Sequence, residues 1–571
     1  MRMQGRAVQE SETNLSYRAV QPVPWARVLV LLAVIAACYL VLAGRSTLWD
    51  RDEPRFSRAT VEMIESGHYL VPTFNGRLRP DKPILIYWLM SVPIRVFGTN
   101  AFACRFFAAI GTGLTCLFTF LIGIRLMDAR AAFWSVAVLA SSLLCLVVGT
   151  AATADAVLLP WMTAVMAIFV WAWYKGRFGF WDVLGMGMAF GLALLAKGPV
   201  GLLPVAVIAT ILILLRRQQS GLARRFVVPL AVSVLIGSIL FLAWGIPANL
   251  ATGGEFLRLG IGHHVLGRSA RPLEGHGGKF LLFLPYYPLV ILGAFFPWSL
   301  HLFGGFSHAL SGRLGGATGR AILIGWVVPI VLIMTFVATK LPHYVLFTWP
   351  ALALMVGGTL TTAQEGSLND TTRRWLRRGE WAFGPLALAA SLGAIVAPWF
   401  LPMPALRVWG AVCGVVLAGM AILAIRYQLG DMTYRSAKVL VAGMLLLLIL
   451  LLVGVLPILE EIKIPPHLAK VIVEKTDPNT PVATFAFAEP SLNFYIGRQI
   501  EPLKTKEDAA AWLRQVGPGV LIVPKDTFAQ LVEEHGPFPA EPIASVKGIN
   551  YSKGKEVEVL AVRRTAPAGA P

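Results

Sequence analysis

The sequence predicts a polytopic all-α membrane protein with about thirteen transmembrane helices, amphipathic interfacial helices and a C-terminal α/β domain. Of its 571 residues, 56% are hydrophobic and only 14% are charged, and the mean hydropathy is +0.67. This balance is far from that of a globular domain. Apolar stretches of the ~20 residues that cross a bilayer recur until about residue 460. Beyond that point the pattern changes to short apolar runs between helical stretches.

The predicted spans are joined by short links that are alternately rich and poor in arginine. We place the spans at residues 25–44, 102–124, 131–150, 156–174, 180–196, 199–215, 226–247, 280–300, 321–338, 344–362, 381–401, 406–425 and 438–458. Short links rich in arginine face the cytoplasm. Residues 1–24 are then a cytoplasmic tail, and an odd number of spans puts residues 459–571 on the opposite face of the membrane.

Two long loops, 45–101 and 248–279, share that far face. In the first loop, Pro54 suits a first helical turn and Gly67 suits a helix end. The residues between them predict an amphipathic helix that lies on the membrane surface. Its apolar face holds Phe56, Ala59, Met63 and Ile64, and its charged face holds Arg58, Glu62 and Glu65. A second interfacial helix is predicted at 84–97.

The C-terminal residues 459–571 are predicted to form a small α/β domain. Strands are expected at 481–487, 519–523 and 556–562, and helices at 505–515 and 526–534. All five cysteines lie outside this domain, in or near apolar spans, so neither a disulfide framework nor a CxxC metal site is indicated.

The net charge of +19 indicates a membrane partner rather than nucleic acid, because the arginines cluster in the links between spans. No GxxxxGK motif occurs in the sequence, so a nucleotide motor is not indicated. No cleavage-site pattern follows the first span, which we therefore expect to be retained.

An acidic pair, Asp52 and Glu53, lies in the basic loop between the first two spans. Charges held against a bilayer are costly and are usually functional. Since adjacent carboxylates rarely point the same way, we assign Asp52 as a catalytic carboxylate that acts as a base or orients an acceptor. Glu53 is assigned a structural or supporting role. The alternative is that both acids only cap the interfacial helix.

Two groups of basic and hydroxyl side chains could meet a lipid phosphate on the same face. Lys82, between Asp81 and Pro83, stands just above an apolar run, where it would meet a phosphate at head-group depth. The alternative is a lysine that only snorkels to the interface. Lys340 and Tyr344 lie at another far-side span end, where they could donate to a phosphate oxygen or simply anchor the span.

Asp155 is an isolated acid at a span end, and we expect it either to cap the next helix or to pair with an arginine that shapes the site. In the loop 248–279, the guanidinium groups of Arg268 and Arg271 suit bidentate phosphate recognition. A metal site would join Asp81 to His263 or His264, but their spacing matches no standard ligand pattern. We therefore expect no essential metal.

These residues, in this order, resemble those of polytopic glycosyltransferases that use polyprenyl-phosphate sugars. The resemblance is greatest to the aminoarabinose transferases that modify lipid A, which are relatives of the protein O-mannosyltransferases. The shared elements are Asp52-Glu53-Pro54-Arg55, Asp81-Lys82-Pro83, Ala154-Asp155, Ala196-Lys197-Gly198, the His264…Arg268…His276 loop, Lys340-Leu341-Pro342-His343-Tyr344 and Glu489-Pro490-Ser491-Leu492. The sequence departs from the family at Phe56, where tyrosine is frequent, and at Asp81, where glutamate is usual.

The resemblance implies a GT-C fold in the bacterial inner membrane, with residues 25–458 as the catalytic domain and 459–571 as a periplasmic domain. It implies an inverting transferase that moves 4-amino-4-deoxy-L-arabinose from undecaprenyl phosphate to lipid A. Asp52 is then the catalytic carboxylate, with Glu53 and Asp155 as supporting acids, while Lys82, Arg268 and Tyr344 surround the donor phosphate. The other cavity candidates are Arg55, Asp81, Lys197, His264, His276, Lys340 and Glu489.

The same resemblance implies no required cofactor, because a lipid-phosphate sugar carries its own leaving group. The expected partners are membrane lipid, the polyprenyl-phosphate donor and lipid A or another envelope acceptor, without nucleic acid or nucleotide, and we expect a monomer. One alternative is a protein O-mannosyltransferase-like or other cell-envelope glycosyltransferase. A second is an anionic-lipid transporter or flippase, which would predict inverted repeats and midplane charges; the sequence has no evident internal repeat.

Overall fold

The structure, a computed structural model, describes residues 24–49, 51–216, 219–260, 262, 283–401, 403–550 and 554–565. It confirms the predicted fold class of a helical membrane protein with a small C-terminal sheet domain. In the described part of the chain, ten helices are long and apolar enough to cross a membrane. The number rises to twelve when two bent helix pairs are each taken as one span.

The helices of the membrane region follow the predicted spans closely. Their bounds are α1 Trp25–Ala43, α2 Asp52–Ser66, α3 Leu85–Phe97, α4 Ala101–Leu126, α5 Ala129–Ser141, α6 Leu143–Gly149, α7 Ala154–Lys175, α8 Phe180–Lys197, α9 Leu203–Leu215, α10 Ser220–Arg225, α11 Val227–Ala251, α12 Glu255–Leu257, α13 Tyr286–Ala294, α14 Ser299–Leu310, α15 Gly316–Phe336, α16 Trp349–Gln364, α17 Asp370–Val396, α18 Pro404–Leu429, α19 Thr433–Leu450 and α20 Leu456–Glu461. Short 3₁₀ segments at Gly198–Leu202, Pro342–Thr348 and Ala397–Phe400 and a π segment at Leu451–Val455 join neighbouring helices.

The chain turns back on itself between α8 and α9, so the 36-residue apolar stretch Phe180–Leu215 is not one straight helix. Gly198 has a positive φ of 61°. A Cβ on Gly201 would lie 2.7 Å from the carbonyl oxygen of Ala193, whereas a straight helix separates such residues by about 12 Å. About thirteen spans were predicted, whereas the described part of the chain has ten to twelve.

Two predicted spans differ from single straight helices. The stretch 131–150 is broken into α5 and α6 with a bend of 67°, and the eighth span is broken into α13 and α14 with a bend of 116° and runs on to Leu310. Pro297 lies in the second break, where it removes a backbone donor and disfavours helical geometry in the residue before it. The two broken segments are hydrogen-bonded to each other. The Leu143 N–H donates to the Phe296 carbonyl at 2.9 Å, and Trp298 Nε1 donates to Ser141 Oγ at 3.0 Å.

The two predicted interfacial helices are present as α2 and α3, but part of the predicted charged face of α2 is covered. Arg58 and Glu62, predicted on an outward charged face, are 4% and 8% exposed. Glu62 accepts hydrogen bonds from Thr73 Oγ1 at 2.8 Å and from the Asn75 N–H at 2.7 Å. Arg58 and Glu62 are therefore buried because Glu62 organises the two-stranded hairpin β1 Thr73–Phe74 and β2 Arg77–Leu78, whereas the Glu65 side chain on the same face is 53% exposed.

The C-terminal domain is a five-stranded mixed sheet in the order β4-β3-β5-β7-β6. Its elements are α21 Ile464–Lys475, β3 Val482–Thr484, α22 Pro490–Ile496, β4 Ile500–Pro502, α23 Lys506–Leu513, β5 Val520–Pro524, α24 Lys525–His535, β6 Ala540–Asn550 and β7 Lys555–Arg564. The sheet is parallel from β4 to β5 and antiparallel from β5 to β6. The predicted strands and helices are confirmed, while β4, β6, α21 and α22 were not predicted.

Candidate functional site

The acidic pair diverges as expected from adjacent carboxylates. Asp52, predicted just outside the helix, is the first residue of α2, and its side chain is exposed. Glu53 is 4% exposed, and its carboxylate is paired with Arg105. Neither residue is the N-cap of α2: the N-cap is Arg51, which makes no side-chain cap hydrogen bond.

Glu53 forms a buried bidentate ion pair with Arg105 of α4. Arg105 Nε donates to Glu53 Oε1 at 2.7 Å, and Nη2 donates to Oε2 at 2.6 Å. The N–H groups of Ala152 and Trp49 each donate to the same carboxylate at 2.7 Å. Arg105 also donates to the carbonyls of Ala43, Ser46 and Thr47. This network joins the end of α1, the start of α2, α4 and the turn before α7, and so fixes the backbone on which Asp52 stands.

Arg105 was not predicted as a site residue, although a signal for it exists. It is a charged residue inside the predicted span 102–124, and such residues normally have a partner and a task. The sequence shows that a partner is needed, but it does not show which of the nearby acids supplies it.

Asp52 lines a cavity of about 400 Å³. Its walls come from the end of α1, the loop before α2, α4, α6 and the first residue of α20. The lining residues are Leu42, Ser46, Trp49, Arg51, Asp52, Glu53, Arg105, Val147, Thr150, Ala151, Thr153 and Leu456. The carboxylate is therefore open to a space large enough for a small-molecule group.

A second polar cluster faces Asp52 from α7, α8 and the 3₁₀ segment 342–348. Lys197 Nζ lies 2.5 Å from Asp155 Oδ1, and His343 Nε2 lies 3.7 Å from Asp155 Oδ2. The same ammonium lies 5.2 Å from the ring centroid of Tyr344. Lys82 is within electrostatic range of Asp155 and His343, and His343 is within range of Asp52. Asp155, Lys197, Lys82 and Tyr344 are thus brought together, as expected of one site.

Two details of this cluster differ from the sequence prediction. Asp155 was expected to cap a helix or to pair with an arginine, but its observed partner is Lys197. The N-cap of α7 is Thr153. His343, quoted only as part of a motif, belongs to the cluster as well. It lies on the 3₁₀ segment Pro342–Thr348, which is too short to show a helical repeat in the sequence.

Asp81 forms an ion pair with Arg79, which was not predicted to be a site residue. Arg79 Nη1 lies 3.0 Å from Asp81 Oδ2, and Arg79 Nε donates to the Tyr87 hydroxyl at 3.1 Å. Burial opposes the charge on Arg79, but Tyr87 and Asp81 outweigh this effect and raise the guanidinium pKa. Burial also raises the pKa of Tyr87. Asp81 thereby becomes part of a fixed pair, and the Lys82 ammonium donates to its carbonyl at 3.1 Å.

Lys340 is directed at the end of α15. Its ammonium donates to the carbonyls of Met334, Thr335 and Val337 at 3.0, 2.6 and 2.6 Å. Burial lowers its pKa. These contacts satisfy carbonyls that the helix end leaves without partners, so the structure gives Lys340 a capping role. Arg55 lies half-buried on the first turn of α2.

The C-terminal domain docks directly on the loop that carries Asp52. Glu489 is 2% exposed at the start of α22, and this helix packs against α2. Tyr495 of α22 accepts a hydrogen bond from the Leu48 N–H at 2.7 Å, and burial raises the pKa of its hydroxyl. The Asn75 side chain exchanges two hydrogen bonds with the backbone of Ile500, at 2.7 and 2.8 Å.

A buried lysine lies at the junction between the last span and the C-terminal domain. Lys463 is 1% exposed, and burial lowers the pKa of its ammonium. It donates to Glu460 Oε1 at 2.7 Å and to both the carbonyl and the hydroxyl of Thr47 at 3.0 Å. The ammonium also lies 3.6 Å from the ring centroid of Trp49, which lines the cavity.

Several predicted residues lie outside the described part of the chain. These are His263, His264, Arg268, Arg271 and His276. The proposed pairing of Asp81 with His263 or His264 falls there too. Within the described ranges, no group of three or more His, Cys, Asp or Glu side chains could hold a metal ion.

The overall fold matches that of a known membrane enzyme. The crystal structure of ArnT from Cupriavidus metallidurans bound to undecaprenyl phosphate superposes with a TM-score of 0.75 at 20% identity, covering 96% of this chain and 100% of that one. The structure of the same protein in the apo state gives a TM-score of 0.73. The protein therefore has the GT-C fold of ArnT.

Sequence comparison identifies the family. A relative from Sodalis glossinidius, "Undecaprenyl phosphate-alpha-4-amino-4-deoxy-L-arabinose arabinosyl transferase 2", is 30% identical over 417 residues, which are 72% of each chain. A relative from Edwardsiella ictaluri with the same name, without the numeral, is 31% identical over 338 residues. That alignment covers 57% of this chain and 58% of the relative. The protein belongs to this family of arabinosyl transferases.

A broader family also matches part of the chain. Residues 81–244 match the dolichyl-phosphate-mannose-protein mannosyltransferase family. The resemblance inferred from the motifs is thus confirmed, and with it the assignment of the protein as a glycosyltransferase.

Proposed function

We propose that this protein transfers 4-amino-4-deoxy-L-arabinose from undecaprenyl phosphate to lipid A. Membership of a family whose relatives carry that activity in their names supports the donor and the sugar. The observation that carries the proposal to this chain is the position of Asp52, an exposed carboxylate on a rigid buried support between a cavity and a cluster that contains Lys82, Lys197 and Tyr344.

The site can stabilise a departing phosphate electrostatically. As the bond from the sugar carbon to the donor phosphate breaks, negative charge grows on the phosphate oxygens. Lys82, Arg268 and Tyr344 are assigned to hold that phosphate, because fixed donors aimed at developing charge lower the barrier. The Lys197–Asp155 pair holds Lys197 beside the Tyr344 ring and so helps to position that side chain.

Asp52 is assigned to the attacking side of the sugar. A carboxylate within reach of the acceptor can orient it or accept its proton. A single displacement by the acceptor predicts inversion at the sugar carbon. Glu53 and Arg105 do not touch the substrate in this scheme; they hold the start of α2 in place.

The placement in the cell follows the distribution of arginine. We assign the N-terminus to the cytoplasm and the C-terminal domain to the periplasm, in the inner membrane, with the site on the periplasmic face. We further propose that the protein acts as a monomer and needs no cofactor, because the donor supplies its own leaving group. A chelator should therefore leave the transfer rate unchanged.

Mass spectrometry of lipid A tests the function. Cells that carry the gene should show lipid A with an added aminopentose, and cells that lack it should not. Purified protein in detergent should transfer the sugar from synthetic undecaprenyl phosphate-aminoarabinose to lipid A. Unmodified lipid A in both tests would contradict the proposal.

A second candidate is transfer to protein, because residues 81–244 match the protein mannosyltransferase family. Mass spectrometry of secreted proteins from the same two strains distinguishes the candidates. A hexose on protein that depends on the gene would favour the second candidate.

A further inference from the structure

We infer that Lys463 is a positioning residue for the transfer reaction: from the junction with the C-terminal domain it holds Thr47 and the ring of Trp49, and through them the residues that precede Asp52. The inference rests on the proposed function, since that is the reaction it affects. It adds a residue that contacts no substrate and follows Thr47 by 416 residues in the sequence.

Lys463 lies in the short break between the last span and the C-terminal domain. Helix α20 ends at Glu461 and α21 begins at Ile464, with Lys463 as its N-cap residue. From this break, two charged side chains reach Thr47. Glu460 Oε2 accepts hydrogen bonds from the Thr47 N–H at 3.1 Å and from its hydroxyl at 2.6 Å. The Lys463 ammonium donates to the Thr47 carbonyl and hydroxyl, each at 3.0 Å. Both backbone polar groups of Thr47 are therefore fixed from the C-terminal side.

The Thr47 carbonyl joins this junction to the buried ion pair of Glu53 and Arg105. It accepts a second hydrogen bond from Arg105 Nη2, at 3.0 Å. Two buried cations that converge on one oxygen repel each other, because little water is present to screen them. Each cation therefore has its own carboxylate: Glu460 Oε1 lies 2.7 Å from Lys463 Nζ, and Glu53 Oε2 lies 2.6 Å from Arg105 Nη2. Removal of the Lys463 charge leaves the Thr47 carbonyl with one of its two cationic donors and Glu460 without this cation.

The same ammonium holds the ring of Trp49. Lys463 Nζ lies 3.6 Å from the ring centroid, which is within the range of a cation–π contact, and such contacts are strongest where the cation is desolvated. The Trp49 N–H donates to Glu53 Oε2 at 2.7 Å, so the ring and the backbone of Trp49 are held by two different networks. Trp49 and Asp52 line the same cavity. A change in the tilt of the ring would therefore alter the wall next to the catalytic carboxylate.

The side chains assigned to the donor phosphate are carried by other segments of the chain. Lys82 follows β2, Lys197 ends α8, and Tyr344 lies on the 3₁₀ segment Pro342–Thr348. A shift of the residues before Asp52 should therefore slow the transfer step and leave donor binding nearly unchanged. A small misplacement of a reacting group is enough to slow a reaction by one or two orders of magnitude.

Steady-state kinetics of Lys463→Met measure the positioning effect at a temperature where the variant is folded. Methionine keeps an unbranched chain but lacks the ammonium, so kcat should fall about tenfold while the KM for undecaprenyl phosphate-aminoarabinose stays within about twofold. Lys470→Met is the matched control, because Lys470 is an exposed lysine of α21; its kcat should stay at the wild-type value. An unchanged kcat in Lys463→Met, or a rise in the donor KM as large as the fall in kcat, overturns the inference.

A double-mutant cycle tests whether Lys463 acts through the ring of Trp49. Trp49→Leu removes the ring and lowers kcat by itself. If the ammonium acts through the ring, adding Lys463→Met to Trp49→Leu should lower kcat by a smaller factor than Lys463→Met does in the wild-type protein. Equal factors in the two backgrounds overturn the inference, because Lys463 would then affect the reaction by another route.

Hydrogen exchange tests the positioning without any measurement of activity. The amides of residues 45–49 should exchange faster in Lys463→Met than in the wild-type protein or in Lys470→Met, while exchange in β5, the central strand of the C-terminal sheet, stays constant. Equal exchange of residues 45–49 in all three proteins overturns the inference. Transfer that is absent in the wild-type protein would contradict the proposed function, and the exchange rates would still decide whether Lys463 holds this loop.

Discussion

Replacing Glu53 by glutamine should destabilise the protein strongly, although the side chain changes by a single group. The Glu53 carboxylate accepts four hydrogen bonds at 2.6 to 2.7 Å, two on each oxygen, and all four come from N–H donors. Glutamine keeps one oxygen and turns an NH₂ group towards the other two donors. The change also leaves the guanidinium of Arg105, which is 1% exposed, without its counter-charge.

The expected cost is about 3–5 kcal/mol in the free energy of unfolding, the usual result of breaking a buried ion pair from one side. Denaturant titration of the purified protein in detergent measures it. Arg377→Gln serves as the control, because it breaks the exposed pair of Arg377 with Asp431, whose side chains are 50% and 36% exposed. That pair should contribute at most about 1 kcal/mol.

The same substitution should lower the transfer rate at temperatures where the fold is intact, since Glu53 ties the start of α2 to the turn before α7. A Glu53→Gln protein whose free energy of unfolding lies within about 0.5 kcal/mol of the wild-type value would refute the reasoning, because the buried carboxylate would then not be needed to balance Arg105.

Three further predictions concern the other parts of the site. Asp52→Asn should abolish sugar transfer while expression and the denaturant midpoint stay near wild type, because Asp52 is exposed and, among the described residues, forms no ion pair; full transfer in vitro, or retained polymyxin resistance in a host that depends on this protein, would contradict the assignment. Lys82→Ala should weaken binding of the undecaprenyl-phosphate donor about tenfold, as expected for loss of a charge-assisted contact, and unchanged donor affinity by isothermal titration would count against a phosphate clamp. Asn75→Ala should loosen the docking of the C-terminal domain by about 1–2 kcal/mol, since it removes two hydrogen bonds to Ile500; hydrogen exchange should rise in β4 and stay constant in the far edge strand β6, and equal exchange in β4 would show that Asn75 does not hold the domain.

The sequence predicted the elements of this fold well where a single physical rule governs them. Apolar stretches of bilayer length gave the spans, and Pro54 and Gly67 gave the start and the end of α2. Those signals are local, because helix length, turn residues and hydropathy act within one segment. The breaks at Ser142 and Pro297 were missed because their polar groups are satisfied by each other across two spans.

The buried part of the charged face of α2 shows the limit of periodicity. Arg58 and Glu62 have the spacing of a solvated helix face, and the pattern carries no information about what will cover it. The hairpin at 73–78 covers it, because Glu62 accepts its N–H and hydroxyl groups. A periodic pattern distinguishes the two faces of a helix, but only the neighbouring segments decide whether the charged face is exposed to solvent.

By itself, the sequence determined the membrane class, the order of the spans and the residue types that a polyprenyl-phosphate glycosyltransferase needs, since these depend on composition and on short motifs. Only the tertiary structure decided the pairings: Glu53 with Arg105, Asp155 with Lys197, Asp81 with Arg79, and the C-terminal domain against the Asp52 loop. These partners lie between two and several hundred residues apart, and many cations in the chain could serve each acid. The packing of the helices selects one of them, because a charge removed from water must be matched by whichever partner the fold brings within contact distance.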